Sequence, residues 1–199
     1  LYAFDMACAS EGSTCSPLWR GWTALSVRSS PAVANGLVYV GSSDGKVRGF
    51  PIGCQTRGEI CYAIWRGVAD GPIESTPVVA DGYVVVGTMT GSVMGFPVAC
   101  ADRASGCQPT WTAQTGGPVR SSAAIGGGGA RGGAMVFIGS DDGFIYGYPL
   151  KCRPAGRPPI CPAVWASGTR EAISSSPVFL DGALYASSED GTVRRWSLP

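Results

Sequence analysis

Residues 29–54, SSPAVANGLVYVGSSDGKVRGFPIGC, align without a gap on residues 75–100, STPVVADGYVVVGTMTGSVMGFPVAC, at a shift of 46 residues. A third copy runs from Ser121 to Cys152 and carries a glycine-rich insertion, and a fourth, SSPVFLDGALYASSEDGTVRRWSLP, runs from Ser175 to Pro199. Self-similarity at this period restricts the chain to a repeat architecture, in which each unit buries its apolar surface against the next. The units are not helical. Thirty glycines and fifteen prolines in 199 residues argue against long helices and for short strands joined by tight turns.

Each copy reads as the same succession of strands. A short first strand ends at Asn35-Gly36, Asp81-Gly82 or Asp181-Gly182, where glycine tolerates the positive φ of a tight hairpin. A second strand (LVYVGS, YVVVGT, MVFIGS, LYASS) meets a turn ending in Gly45, Gly91, Gly143 or Gly191, and a third (KVRGF, SVMGF, FIYGY, TVRRW) leads on to a cysteine. The fourth carries Trp19, Trp65, Trp111 or Trp165. Four antiparallel strands joined by hairpins make one propeller blade, so the expected fold is an all-β propeller. Residues 1–28 supply a partial blade, 29–74, 75–120 and 121–174 three full blades, and 175–199 a three-stranded final blade. LYAFD at the start aligns with VRRWS at the end, placing Phe4 and Trp196 at the same repeat position. We therefore expect part of a larger ring: a fragment of a longer propeller, or a subunit whose ring is completed by another chain.

All eight cysteines fall in four local pairs, Cys8 with Cys15, Cys54 with Cys61, Cys100 with Cys107 and Cys152 with Cys161, each followed by its blade tryptophan. Zinc needs four converging ligands, and a chain without histidine offers two thiolates at a time. One pair per repeat favours four local disulfides over shared zinc. The bridges are expected to staple each outermost strand, an exposed edge, to its neighbour, and the tryptophans to wedge between adjacent blades. Disulfides persist only in oxidising surroundings, so the chain is expected to be secreted, periplasmic or on the cell surface. It opens on Leu1 with its first strand already under way, and the preference for arginine over lysine hints at a bacterial source of high GC content.

The pattern S-P-x-V-x-x-G-x-V-Y-V-G-S-x-D-G-x-V-x-x-F followed by a tryptophan resembles the pyrroloquinoline-quinone-type β-propeller repeat of quinoprotein alcohol dehydrogenases and outer-membrane assembly lipoproteins. The resemblance covers nearly the whole chain and implies a ring of seven or eight blades. Typical members place Thr-Gly before the blade tryptophan, where this chain has its cysteine-fenced loop. For the dehydrogenases the resemblance further implies a quinone near the axis, a calcium ion on carboxylate and amide oxygens, an aspartate base and often a disulfide between adjacent cysteines. None of these maps onto this chain residue by residue: it has no Cys-Cys dipeptide, and its single asparagine, Asn35, sits in a hairpin turn.

Fifteen basic residues stand singly among fourteen acidic ones, leaving a formal charge of +1 and no basic stripe for nucleic acid. No apolar run approaches the roughly 20 residues of a membrane helix. Without histidine there is no Ser-His-Asp or Cys-His chemistry. The residues preceding each first strand, Arg28, Glu74, Arg120 and Ser174, are expected to encircle one mouth of the channel as candidates for an anionic ligand or cofactor. Asp44, Asp141, Asp142, Glu189 and Asp190 lack the alternating spacing of a calcium loop and read as turn residues. GGGGARGG, residues 126–133, precedes a strand, so it reads as a hairpin insertion and not as a phosphate cradle. The expected function is a non-catalytic scaffold, or a module contacting protein or polysaccharide, with no cofactor and no catalytic residue. The alternatives are part of a dehydrogenase binding pyrroloquinoline quinone with calcium, its catalytic residues outside this chain, and a repeating subunit of a surface assembly.

Overall fold

The computed structural model describes residues 1–9, 14–54, 60–100, 105–127, 133–153 and 160–198. Eighteen strands occur among them, with one 3-10 turn at Met6–Ala9 and no α-helix. Three sheets repeat one plan: β3 (Ala32–Ala34), β4 (Leu37–Gly41), β5 (Lys46–Pro51) and β7 (Trp65–Val68) form the first. The second holds β8 (Val78–Ala80), β9 (Tyr83–Gly87), β10 (Ser92–Pro97) and β11 (Trp111–Gln114), and the third β12 (Ala124–Gly126), β13 (Met135–Gly139), β14 (Phe144–Pro149) and β15 (Trp165–Gly168). All are antiparallel in hairpin order. The final sheet has three strands, β16 (Val178–Leu180), β17 (Ala183–Ser187) and β18 (Val193–Ser197). The chain is an all-β propeller.

The sequence repeat is also a register repeat. Val38 faces Phe50, Val84 faces Phe96, Val136 faces Tyr148 and Leu184 faces Trp196 across the second and third strands of successive blades. Asn35, Asp81 and Asp181 take φ of 51°, 46° and 48°, each before a glycine also at positive φ, the backbone of a type I′ turn. At the next hairpin Asp44, Asp142 and Asp190 each accept the backbone N–H two residues on, at 3.1, 2.9 and 3.0 Å. These carboxylates shape turns. Burial pushes the Asp44 pKa up, but the Arg48 guanidinium, the Ser42 hydroxyl and the Lys46 N–H outweigh it and hold the carboxyl below its ordinary value.

The core lies between blades. Alternate side chains of each second strand point to opposite faces, so Val85 joins Trp111 and Val136 on one side while Val84 and Val86 join Tyr39 and Trp65 on the other. Four such apolar slabs follow one another along the arc. Sequence reasoning did not single out Ile73, Val119 and Ile173, which enter these slabs fully buried from the segment linking one blade to the next. They press on second-strand glycines: a β-carbon on Gly41, Gly87 or Gly139 would stand 2.4, 2.2 or 2.4 Å from Ile73, Val119 or Ile173. Gly87→Ala is therefore expected to cost about 1–3 kcal/mol by overpacking, read as a lower midpoint in urea. Gly36→Ala, with open space around it, serves as the control for turn strain alone.

The disulfides are Cys8–Cys15, Cys54–Cys61, Cys100–Cys107 and Cys152–Cys161. Their loops do more than tie a strand to its neighbour in the same blade. For three of them, Cys54–Cys61, Cys100–Cys107 and Cys152–Cys161, the leg carrying the second cysteine leaves its own blade and pairs, in parallel, with the outermost strand of the preceding one. β6 (Ile60–Cys61) lies on β2 (Trp19–Gly21), which is itself paired with β1 (Tyr2–Ala3). The Cys107 N–H donates to the Arg66 carbonyl at 2.7 Å and its carbonyl accepts the Val68 N–H at 3.1 Å; the Cys161 N–H donates to the Thr112 carbonyl at 2.7 Å. Each of these three stapled loops thus covers part of an edge that would otherwise present unpaired backbone groups. Residues 128–132, most of the glycine-rich insertion, lie outside the described residues.

Candidate functional site

Two places on the arc gather functional side chains: the axial mouth and a groove on the outer rim. At the mouth, each blade begins with a serine that closes on its own second strand. Ser75 Oγ accepts the Gly87 N–H at 2.8 Å and donates to the Gly87 carbonyl at 2.9 Å, and Ser29 and Ser121 do the same with Gly41 and Gly139. The next residue bridges blades. The Ser30 N–H donates to Thr76 Oγ1 at 3.2 Å, the Thr76 N–H to Ser122 Oγ at 2.8 Å and the Ser122 N–H to Ser176 Oγ at 3.0 Å.

This relay fixes the spacing of the charged positions just before it. Glu74 takes the Arg28 guanidinium at 3.2 Å and that of Arg120 at 3.1 Å on its two carboxylate oxygens. Arg120 Nε pairs with Asp141 at 2.8 Å, and the Asp141 contact raises the Arg120 pKa above its ordinary value. Ser174, the fourth position, donates to Glu189 at 2.9 Å. The structure brings Arg28, Glu74 and Arg120 together, but as a ladder that neutralises itself. Such a mouth does not fit a quinone with calcium: the Glu74 and Asp141 carboxylates are engaged by guanidinium groups, and the described residues hold no cluster of three or more His, Cys, Asp or Glu side chains placed to ligate one ion.

The blade tryptophans do not reach the mouth. Trp19 Nε1 donates to the Ile52 carbonyl at 3.3 Å and Trp65 Nε1 to the Pro97 carbonyl at 3.2 Å, each in the following blade. Trp65 meets Phe96 edge-on at 6.3 Å, and Trp165 meets Trp196 at 6.2 Å. Trp111 is fully buried between β10 and the third blade. These rings fill the interfaces between blades.

The outer rim holds a groove of about 740 Å³ between β6, β7 and the segment that follows β2, lined by Trp22, Ile60, Tyr62, Ile64, Arg48 and Arg66 among others. Trp22 and Tyr62 are 70% and 75% exposed, and Arg48 is held by Asp44 at 2.5 Å. Cys54–Cys61 and the β2–β6 pairing pin the groove's floor. Sequence reasoning missed this site because neither aromatic follows the repeat: the positions equivalent to Trp22 are Val68, Gln114 and Gly168, and those equivalent to Tyr62 are Ser16, Gln108 and Pro162. Departure from the repeat was the available signal.

Beside the mouth, Tyr146 donates to Asp142 at 2.7 Å; burial first, and this bond second, push its pKa up to about 12. Burial also raises Tyr148. An unfolded tyrosine ionises near pH 10, so the stability these groups contribute is complete below that pH. It is lost as the pH climbs through the raised folded values. Tyrosinate absorbance is expected to show a fraction of the seven tyrosines titrating late and together with unfolding; a single smooth titration near pH 10 would contradict this.

No protein-family model and no curated protein sequence matches the chain. Solved structures do. The computationally designed Ika4 protein matches with a TM-score of 0.66 at 15% identity, over 92% of this chain and 98% of that one. The computationally designed Ika8 protein matches with a TM-score of 0.64 at 16% identity over 91% of this chain, and BamB from Moraxella catarrhalis with 0.63 at 19% over 92%. This chain spans about half the length of those two, 49% and 50%. At these identities the likeness is one of fold: this chain shares the β-propeller repeat architecture.

Proposed function

We propose that the chain is a non-catalytic, extracytoplasmic propeller scaffold of the quinoprotein-like repeat type, which contacts a protein or polysaccharide partner through its rim. The observation that carries the reading is the rim groove, where Trp22 and Tyr62 expose large aromatic surface on a floor fixed by a disulfide. Exposed aromatics beside guanidinium groups suit stacking on sugar faces or on peptide side chains. The self-neutralised mouth supports the non-catalytic part, and four disulfides suit survival outside the cell.

Tryptophan emission during two titrations tests the reading. Neutral β-linked oligosaccharides are expected to shift the emission saturably, and Trp22→Ala, at an exposed position that leaves the fold intact, is expected to abolish the shift. Pyrroloquinoline quinone with calcium is expected to give no saturable response. A tight quinone response that survives Trp22→Ala would overturn the scaffold reading in favour of part of a quinone-dependent dehydrogenase. If oligosaccharides give no shift, capture by an immobilised protein partner that Trp22→Ala abolishes sustains the rim as the contact surface, and capture indifferent to Trp22→Ala refutes it.

A further inference from the structure

Asn35 is the only asparagine in the chain, and it stands before a glycine at the type I′ turn between β3 and β4. The turn belongs to a complete four-stranded blade. Both of its residues are exposed, and a β-carbon built on Gly36 meets nothing within 4 Å. The sister turns carry Asp81-Gly82 and Asp181-Gly182, with φ of 46° and 48° at the aspartate against 51° at Asn35. One blade therefore holds an amide where two others hold a carboxylate, on the same backbone.

Asparagine is a labile residue, most of all before glycine, where no side chain crowds the next backbone nitrogen. The Gly36 nitrogen attacks the side-chain carbonyl carbon of Asn35: a bond forms between Gly36 N and Asn35 Cγ, the Cγ–Nδ2 bond breaks, and ammonia leaves with the proton that the Gly36 nitrogen gives up. Water then opens the five-membered imide. Opening at Cγ leaves aspartate in an ordinary main chain. Opening at the backbone carbonyl leaves isoaspartate, whose main chain runs through the side-chain carbons and is one carbon longer. Water is the only co-reactant. Asp81 and Asp181 are poorer substrates for the same ring closure, because a carboxylate must first be protonated, and Asp81 is also paired with Lys151 at 3.3 Å.

The fold decides the rate and the product. Ring closure takes Asn35 out of the left-handed region, so it proceeds through brief openings of the hairpin end. That end is lightly held: β3 has three residues, and the Gly36 carbonyl accepts the Ile52 N–H at 3.0 Å. An aspartate at this position reproduces the backbone already present at Asp81 and Asp181. An isoaspartate lengthens a two-residue turn, which shifts Leu37 against its partners Ala34 and Pro51.

We propose that Asn35-Gly36 is a site of spontaneous modification, at which Asn35 deamidates without an enzyme and the hairpin retains the aspartate product, whereas the isoaspartate product loosens β3 from β4. The conversion takes the formal charge from +1 to zero. It runs in one direction, so the converted fraction records the age of the folded molecule.

Ageing of the oxidised protein at mildly alkaline pH, followed by tryptic mapping, tests this. Trypsin releases residues 29–46, in which Asn35 is the only side-chain amide, so a gain of one mass unit there reports this reaction alone. The native protein is expected to show the gain with aspartate as the main product, and Asn35→Gln to lack it. In concentrated urea the gain is expected about tenfold faster, with isoaspartate predominating. Asn35→Asp is expected to keep the parent's urea midpoint. A native sample without the gain over about ten times the interval that converts the urea sample overturns the proposal. So does a native fraction rich in isoaspartate at the parent's stability, or a lowered midpoint in Asn35→Asp.

Discussion

Trp111→Ala is expected to lower the stability by about 3–5 kcal/mol, the largest loss of any single side chain here. Trp111 is fully buried, and a β-carbon on the facing Gly95 would stand 2.3 Å from its indole. The ring fills the slab between the second and third blades together with Val93, Val136 and Tyr148. Its indole N–H has no hydrogen-bond partner, so nothing polar is orphaned by its removal and the loss measures packing alone. The equivalent Trp165 is only half-buried, and its truncation is expected to cost less. Urea denaturation of the two variants checks the ranking; a loss under about 1 kcal/mol for Trp111→Ala would mean that the blades do not depend on this wedge.

Removing the Cys100–Cys107 bridge with paired alanines is expected to cost about 2–3 kcal/mol from the freed loop entropy alone. The bridge has a second role. Cys107 is buried and holds both backbone hydrogen bonds to β7, so loosening it also uncovers part of an edge of the preceding blade. Cys8–Cys15 closes a loop of the same length, with a sequence separation of 7 in both. Cys15 reaches no outer strand of a preceding blade among the described residues. Loop entropy is equal for the two, so a larger loss at Cys100–Cys107 measures the edge contact directly. Equal losses would reduce every bridge to a local clasp.

The blades were legible because each element leaves a local trace. Alternating valines, Asn-Gly and Asp-Gly at the type I′ turns, and glycine at each third-strand hairpin specify strands and connections within a few residues. The phase of Arg28, Glu74 and Arg120 was legible too, since a repeat places equivalent residues on one ring. That they neutralise one another was not, because pairing depends on the distance between neighbouring blades, which the Ser30, Thr76 and Ser122 relay sets. The destination of the stapled loops was hidden for a similar reason. Sequence spacing shows that Cys100 and Cys107 close a short loop, but the partner of the Cys107 leg is an outer strand some 40 residues earlier, and parallel pairing of one or two residues carries no periodic signal. Trp22 and Tyr62 escaped because they depart from the repeat that made everything else readable.

Native-state hydrogen exchange tests most directly the claim that the loops stapled by Cys54–Cys61, Cys100–Cys107 and Cys152–Cys161 cover part of the edge of the preceding blade. The Val68, Cys107 and Cys161 amides, all bonded across blades, are expected to exchange slowly in the oxidised protein. Breaking Cys100–Cys107 alone is expected to release Val68 and Cys107 while the Val84 to Val86 amides inside β9 stay protected. Fast exchange at Val68 and Cys107 in the oxidised protein would contradict the account and leave the disulfides as clasps within single blades.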